Sequence, residues 1–276
     1  MSNAVSRAVI NSSASHVFEV LRFVAEADEP MGVTEISRQM ALPASTVYRA
    51  LVTLEEAGYL SRYQNTPRYE VGQMPQLLNR ALFNRFHLHR ASRPILRALA
   101  HAIGETVSLS VRMGWFGLRI SGAYGSNDIY HRDRLGEVVL LHEGLAAPAI
   151  LSTLSSDDRN RYRLFVEAHY PNRTPAEDWA ALEDRLDRAC RDGLVTREIA
   201  LAPGFQAAAL PIRAADDGAI AAITANGPVL RPGETTPPAA LLQARDALET
   251  MIRGEPEKFR SPFDHIPADE MRLQLS

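Results

Sequence analysis

The chain has 276 residues, 46% of them hydrophobic, and its 30 basic and 33 acidic side chains leave a formal charge of −3. That is length and apolar content for two small domains, with no global charge excess to mark a nucleic-acid or membrane-surface partner. A single cysteine, Cys190, excludes an intramolecular disulfide and a cysteine metal cluster. No apolar run reaches the eighteen or so residues a bilayer span needs, so a cytoplasmic protein without a membrane partner is expected.

Residues 1–12 are short and polar and are expected to be a flexible N-terminus; the first domain is read over 13–73. Thr34 is placed to cap a helix in which Ile36 and Met40 fall four apart on one face, ending near Ala41. Pro43 disfavours a helical Leu42 and suits a first helical turn, so the break is sharp. In the next helix Val47, Leu51 and Leu54 form the buried stripe. Ser45, Thr46, Tyr48, Arg49 and Thr53 are left for other faces. Gly58 suits a left-handed cap. Tyr59, Leu60 and Tyr63 then precede a polar turn, Gln64-Asn65-Thr66-Pro67, with Tyr69 and Val71 after it, and Arg62 and Arg68 flanking it.

Helix, tight turn, helix and hairpin in that order are a winged helix-turn-helix. The second helix of such a motif enters the major groove by its N-terminal residues, which makes double-stranded DNA the expected partner. Ser45, Thr46, Tyr48 and Arg49 occupy the base-reading place, and Arg62 and Arg68 the phosphate-positioning one. Residues 57–93 carry Arg62, Arg68, Arg80, Arg85, Arg90 and Arg93 against Glu70 alone, a local basic stretch that also fits a solvated helix face.

A linker helix is expected over 74–90, opened by Pro75 and carrying Leu77, Leu78, Leu82, Phe86 and Leu88. Arg93-Pro94 marks the entry to a further helix through Leu99. Apolar residues on a connector need a surface to cover them, either a partner subunit or the DNA-binding domain, and self-association as a dimer would give a pseudo-palindromic operator.

The second domain, 91–253, reads as strands at 107–112 and 117–123, helices at 145–154, 157–168 and 175–192, strands at 194–199, 206–213 and 219–225, and a last helix at 238–252. This irregular alternation favours an α+β sheet domain over a doubly wound parallel one. Cys190 is read as a small buried residue of its helix. His87, His89 and His101, like His131 and His142, are read as surface or interface residues without metal, because residues two apart on a helix point to different sides. Asp133 and Glu143 are read as solvated acids. The sequence holds no phosphate-cradling glycine loop, paired-histidine zinc motif or nucleophile elbow, so no catalytic residue, cofactor or enzyme activity is expected. The tail, 254–276, with Pro256, Pro262 and Pro267, is expected to be an extended arm or disordered.

Over residues 13–62 the segment SASHVFEVLRFVAEADEPMGVTEISRQMALPASTVYRALVTLEEAGYLSR, followed by RYEVG, resembles the DNA-binding domain of the IclR family of bacterial transcriptional regulators. The likeness continues through RASRPILRALAHAIGETVSLSV and, more loosely, through DGLVTREIALAPGFQAAALPI and AAITANGP. It implies a GAF-like sensor domain, a small organic acid effector and a tetramer built as a dimer of dimers. By position it also implies pocket residues: Gly144, Leu145 and Ala146 ahead of one helix, Arg197, the turn Gly204-Phe205-Gln206-Ala207, and Thr224 with Asn226 on the last strand. Thr224 and Asn226 share one strand face because Ala225 points the other way.

Three departures from the family pattern bear on the ligand. Ala147-Pro148 stands where many relatives carry glycine-lysine, and Ala207 where they carry cysteine. Arg197 stands where some have an acid. These point to a bulkier, aromatic carboxylate as effector, paired with Arg197 and walled by Phe205. Two other functions are weighed beside this one: an enzyme or carrier domain fused to a DNA-binding domain, and an architectural DNA-binding protein without an effector.

Overall fold

A computed structural model describes residues 12–126, 135–200, 202–214, 218–230 and 236–273, and the chain divides between Leu82 and Phe83 into two compact units. His131 and Asp133 lie outside the described residues, as do residues 1–11.

In the first unit α1 (Ser12–Glu26) leads to the short strand β1 (Met31–Gly32), then α2 (Val33–Met40), α3 (Ala44–Glu56), β2 (Leu60–Arg62) and β3 (Arg68–Val71). The three strands form an antiparallel sheet in the order β1-β3-β2. One apolar cluster joins Val20 and Val24 of α1, Ile36 of α2, the α3 stripe Val47, Leu51 and Leu54, and Leu60 and Tyr69 of the sheet. Thr34, expected to cap α2, does not. The helix starts directly from β1 with Gly32 at its N-cap, because pairing of Met31 with Tyr69 fixes the chain in an extended conformation up to that point. The turn after α2 places Ala41 in the left-handed region (φ 54°), and Pro43 sits at the N-cap of α3. Gly58, at φ +75°, follows the end of α3, and Tyr59 N–H returns to the Leu54 carbonyl (2.8 Å) in the manner of a Schellman cap. At the tip of the hairpin Gln64 and Asn65 both have positive φ and Thr66 N–H donates to the Tyr63 carbonyl (2.8 Å). This is the mirror-image turn that matches strand twist.

The helix α4 (Met74–Arg85) leads out of the first unit, and α5 (His87–Ile103) opens the second. The further helix expected to begin at Arg93-Pro94 starts seven residues before Pro94, which is accommodated inside α5.

The second unit is built on a six-stranded antiparallel sheet of order β6-β5-β4-β9-β8-β7. Its strands are β4 (Val107–Met113), β5 (Phe116–Ala123), β6 (Val138–Leu140), β7 (Val195–Ile199), β8 (Ala202–Arg213) and β9 (Ala219–Leu230). The helices are α6 (Ala146–Leu151), α7 (Ser156–His169), α8 (Trp179–Asp192) and α9 (Ala239–Gly254). This is the α+β class expected. Helix α6 packs on the central strands β4, β8 and β9, while α5 and α9 pack on each other and on β4, β5 and β8. Strand alternation explains both layers. Leu109 pairs with Ile223 as core, and Ser108 pairs with Thr224 on the opposite face.

Three expectations are corrected here, and one strand stands where none was read. Strand β6 is too short and too weakly alternating to be legible. Gly204 through Ala207 are not a turn but part of β8, whose pairing with β7 is interrupted between Glu198 and Ile199. Cys190 is exposed, its neighbour Ala189 taking the buried position on α8. The tail from Pro256 to Leu273 is an ordered arm. Phe259 and Met271 are buried, the Trp115 indole N–H donates to Asp269 (2.7 Å), Arg161 pairs with the same carboxylate (2.5 Å), and the Tyr170 hydroxyl donates to the Leu273 carbonyl (2.7 Å). Two charges and two aromatic anchors outweigh the prolines that made the segment read as loose.

Candidate nucleic-acid interface and ligand pocket

The helix-turn-helix unit exposes the outer face of α3. Ser45, Tyr48 and Arg49 are exposed there, Tyr48 by 51%, and Thr46 is half-buried, while Val47, Ala50, Leu51 and Leu54 hold the helix down. Arg49 makes no ion pair among the described residues, nor does the exposed Arg38 near the end of α2. Arg38 is a cation that periodicity alone did not single out, and the first helix of such a motif crosses the backbone. The two wing arginines are held differently. Arg62 pairs with Glu55 (3.0 Å) and its guanidinium lies 5.5 Å from the Tyr69 ring centre, and Arg68 donates to the Pro30 carbonyl (2.7 Å) and to Glu35 (3.2 Å).

In the second unit a cavity of about 370 Å³ opens between α6, the loop before it, and the sheet face that carries Ser110, Thr224 and Asn226. Six of the expected residues line it: Gly144, Leu145, Ala146, Arg197, Thr224 and Asn226. Phe205, Gln206 and Ala207 do not. Phe205 sits 39% exposed in β8, and Ala207 is buried under the β7–β8 pairing. The sequence reading missed Ser110, Arg119, Glu137 and Glu143, which also line the cavity. For Ser110 the signal was present in VSLSV, where serines alternate with core residues along β4.

Two local features create the space. Gly144 adopts φ +73°, which turns the chain into α6. Gly117 lets α6 approach the sheet, since a Cβ there would stand 3.0 Å from the Ala147 methyl. The floor is a buried polar network: Ser108 Oγ and Thr224 Oγ1 are hydrogen-bonded, Asn226 Nδ2 donates to Ser108 Oγ (3.1 Å), and Asn226 N–H donates to the Thr106 carbonyl (2.8 Å). Cations come from both flanks of the sheet, Arg119 on β5 and Arg197 on β7. Arg119 pairs with Glu137 (2.8 Å), and Glu143 holds Arg173 (2.9 Å) while accepting the Leu140 N–H. Among the described residues no group of three or more His, Cys, Asp and Glu is placed to hold a metal ion, and no helix is long and apolar enough to cross a membrane.

Beside the pocket loop, His142 hydrogen-bonds the Tyr162 hydroxyl through both its backbone N–H and its ring, in a cluster with Trp179. Burial holds the imidazole below the ordinary histidine range against the opposing pull of Glu143, and raises the Tyr162 phenol well above its own. The unfolded chain therefore binds the His142 proton more readily, and stability falls as pH drops below the ordinary histidine value of about 6.5. The expected result is a denaturation midpoint that declines more steeply between about pH 6.5 and 5 in the natural chain than in His142→Gln, followed by tryptophan fluorescence.

Residues 13–63 match the family model described as the IclR helix-turn-helix domain, and residues 80–251 match that of the bacterial transcriptional regulator IclR C-terminal. The chain is 28% identical over 210 residues to the HTH-type transcriptional regulator BhcR of Paracoccus denitrificans, covering 72% of this chain and 71% of that one. Among solved structures it superposes on the IclR of Thermotoga maritima with a TM-score of 0.67 and 20% identity, over 87% of this chain and 98% of that one. It superposes equally, at 0.67 and 22% identity over 88% and 100%, on an IclR homolog from Microbacterium hydrocarbonoxydans complexed with 4-hydroxybenzoate.

Proposed function

The chain belongs to the IclR family of bacterial transcriptional regulators, and from that premise we propose that a small organic carboxylate bound under α6 controls its affinity for an operator contacted by α3 and the wing. The observation that carries the effector reading is the cavity itself. It combines a polar floor of Ser110, Thr224 and Asn226 with arginines on two flanks, which suits an anion that also offers hydroxyl or carbonyl oxygens. The aromatic stacking wall expected from Phe205 has no support from its position. At about 370 Å³ the space admits a single-ring acid as well as an aliphatic one. Control requires that the ligand bind two arrangements of the protein with different affinity, and about 1–3 kcal/mol of coupling suffices.

Gel shift of the chain's own upstream intergenic DNA, with a panel of hydroxy-, keto- and aromatic carboxylates that includes 4-hydroxybenzoate, tests the reading. One acid should change the midpoint of a sequence-specific shift about tenfold, within the range typical of such coupling. A specific shift that no acid alters favours an effector-free DNA-binding protein instead. An acid consumed during the incubation, followed by mass spectrometry, favours a fused enzyme domain.

Self-association is part of the proposal. Leu77 and Leu78 on α4 are each 50% exposed, a pair of apolar side chains that a second copy would cover. Light scattering is expected to find a dimer or tetramer that Leu77→Asp/Leu78→Asp dissociates, with loss of cooperative binding to a pseudo-palindromic site.

A further inference from the structure

The second unit holds an aromatic-walled space apart from the one under α6. A separate cavity of about 520 Å³ lies where the C-terminal arm crosses the turn between β4 and β5, the first residues of α5 and the end of α9. Its walls include Phe86, Leu88, Val111, Phe259 and Phe263, with the Phe86 and Phe263 rings 5.9 Å apart and tilted 52°. Of the two arginines in the lining, Arg112 and Arg260, only Arg112 has no carboxylate paired with it among the described residues. Its Nε donates to the Gly114 carbonyl (3.1 Å) and its guanidinium lies 5.5 Å from the Trp115 ring centre. Burial lowers its pKa.

No carboxylate among the described residues forms an ion pair with Arg112. Asp158 and Asp264 act on it at longer range. Asp158 pairs with Arg161 (3.2 Å), and Asp264 accepts the Ser261 N–H (3.0 Å). Glu257, also at the cavity, pairs with Arg260 (3.1 Å). Arg112 is half-buried, and with no carboxylate paired to it among the described residues its guanidinium keeps donors for an anion. The arm that closes this space begins after residue 251, where the match to the family model stops, so part of the lining lies outside that match.

We propose that this arm-capped cavity is a second small-molecule site, distinct from the pocket under α6, that takes an aromatic monocarboxylate with its ring against the wall formed by the Phe86–Phe263 pair and its carboxylate on Arg112. The chemistry of the lining selects that class. Aromatic edges and faces accept a planar ring, the Arg112 guanidinium can donate to a carboxylate in bidentate fashion, and the volume falls in the range of ligand pockets. Phe86, His87 and Leu88 form part of the wall at the start of α5, so a bound ligand touches the segment through which the chain continues from α4.

The test uses 2-naphthoate as probe and neutral 2-naphthol as its uncharged counterpart on the full chain. Calorimetry should find one naphthoate per chain, bound about tenfold or more tightly than naphthol, the margin a charge-assisted hydrogen bond supplies. Arg112→Gln should erase that preference for the acid while leaving naphthol affinity within about twofold. Phe263→Ala, on the half-buried arm, should weaken both ligands. Hydrogen exchange should show naphthoate protecting residues 256–268 and the start of α5. Protection confined to 144–147 and 224–226 would assign the acid to the pocket under α6 and overturn the proposal, as would equal binding of acid and alcohol by the natural chain. The operator shift with polar acids is independent of these readouts, so each reading stands or falls separately.

Discussion

Arg49→Ala is expected to weaken operator binding more than any other single substitution in the first unit, by about 1–3 kcal/mol or roughly one to two orders of magnitude in Kd. The reason is what each arginine gives up on binding. Arg62 leaves Glu55 and Arg68 leaves Glu35 and the Pro30 carbonyl if they turn to phosphates, so part of what they gain is cancelled. Arg49 has no such partner among the described residues and sits on the exposed face of α3, one position after Tyr48. Fluorescence anisotropy on operator and on scrambled DNA separates the roles. Tyr48→Ala should cost more on the operator than on scrambled DNA. Arg68→Ala should weaken both and lower the salt slope by about one. The held arginines also permit a gain: Glu55→Gln removes an acid beside the phosphates and releases Arg62, so affinity for scrambled DNA should rise. No rise would mean that Arg62 stays on Tyr69 and takes no part.

The first unit was nearly all legible in the sequence because its elements are local. Val47, Leu51 and Leu54 announce a helix face, Pro43 its start and Gly58 its end, and each answers to neighbours within a turn or two. Thr34 failed as a cap because the competing influence is nonlocal: Met31 pairs with Tyr69, 38 positions away, and holds the chain extended up to Gly32. The same distinction runs through the second unit. Strands whose alternation is strong, such as VSLSV, were placed within a residue or two, whereas the three-residue β6 shows only by its pairing with β5.

Pocket residues were legible in part for a related reason. Thr224, Asn226 and Gly144 were carried to the pocket by the family resemblance, and strand alternation added only that Thr224 and Asn226 share a face. Arg119 and Glu137 arrive from a strand pair whose curvature no local pattern encodes. Phe205 was misplaced because Gly204 read as a turn, while its φ of +83° lies at an irregularity within a strand. The arm was misread for want of partners: Asp269 and Met271 look like solvent-facing tail residues until Trp115 and Arg161 are brought to them.

The polar network beneath the pocket gives the second large effect. Ser108 is fully buried and serves both Thr224 and Asn226, yet it does not line the cavity. Ser108→Ala leaves a buried hydroxyl and a buried amide each short of a partner. At about 1–3 kcal/mol per stranded group, a loss of roughly 2–5 kcal/mol is expected in urea unfolding. Both tryptophans, Trp115 and Trp179, lie in the second unit, so their emission reports on that unit. The effector should also bind more weakly, since Thr224 and Asn226 lose the hydrogen bonds that aim them. Stability and recognition are separable at this site. Replacing all three groups, Ser108→Ala with Thr224→Val and Asn226→Leu, removes the unmet demand and should restore most of the unfolding free energy, because an apolar set strands nothing. It should not restore binding, for the groups that meet the ligand are gone. If the triple variant bound the effector as the natural chain does, Thr224 and Asn226 would be floor and nothing more, and recognition would have to come from Ser110, Arg119 and Arg197.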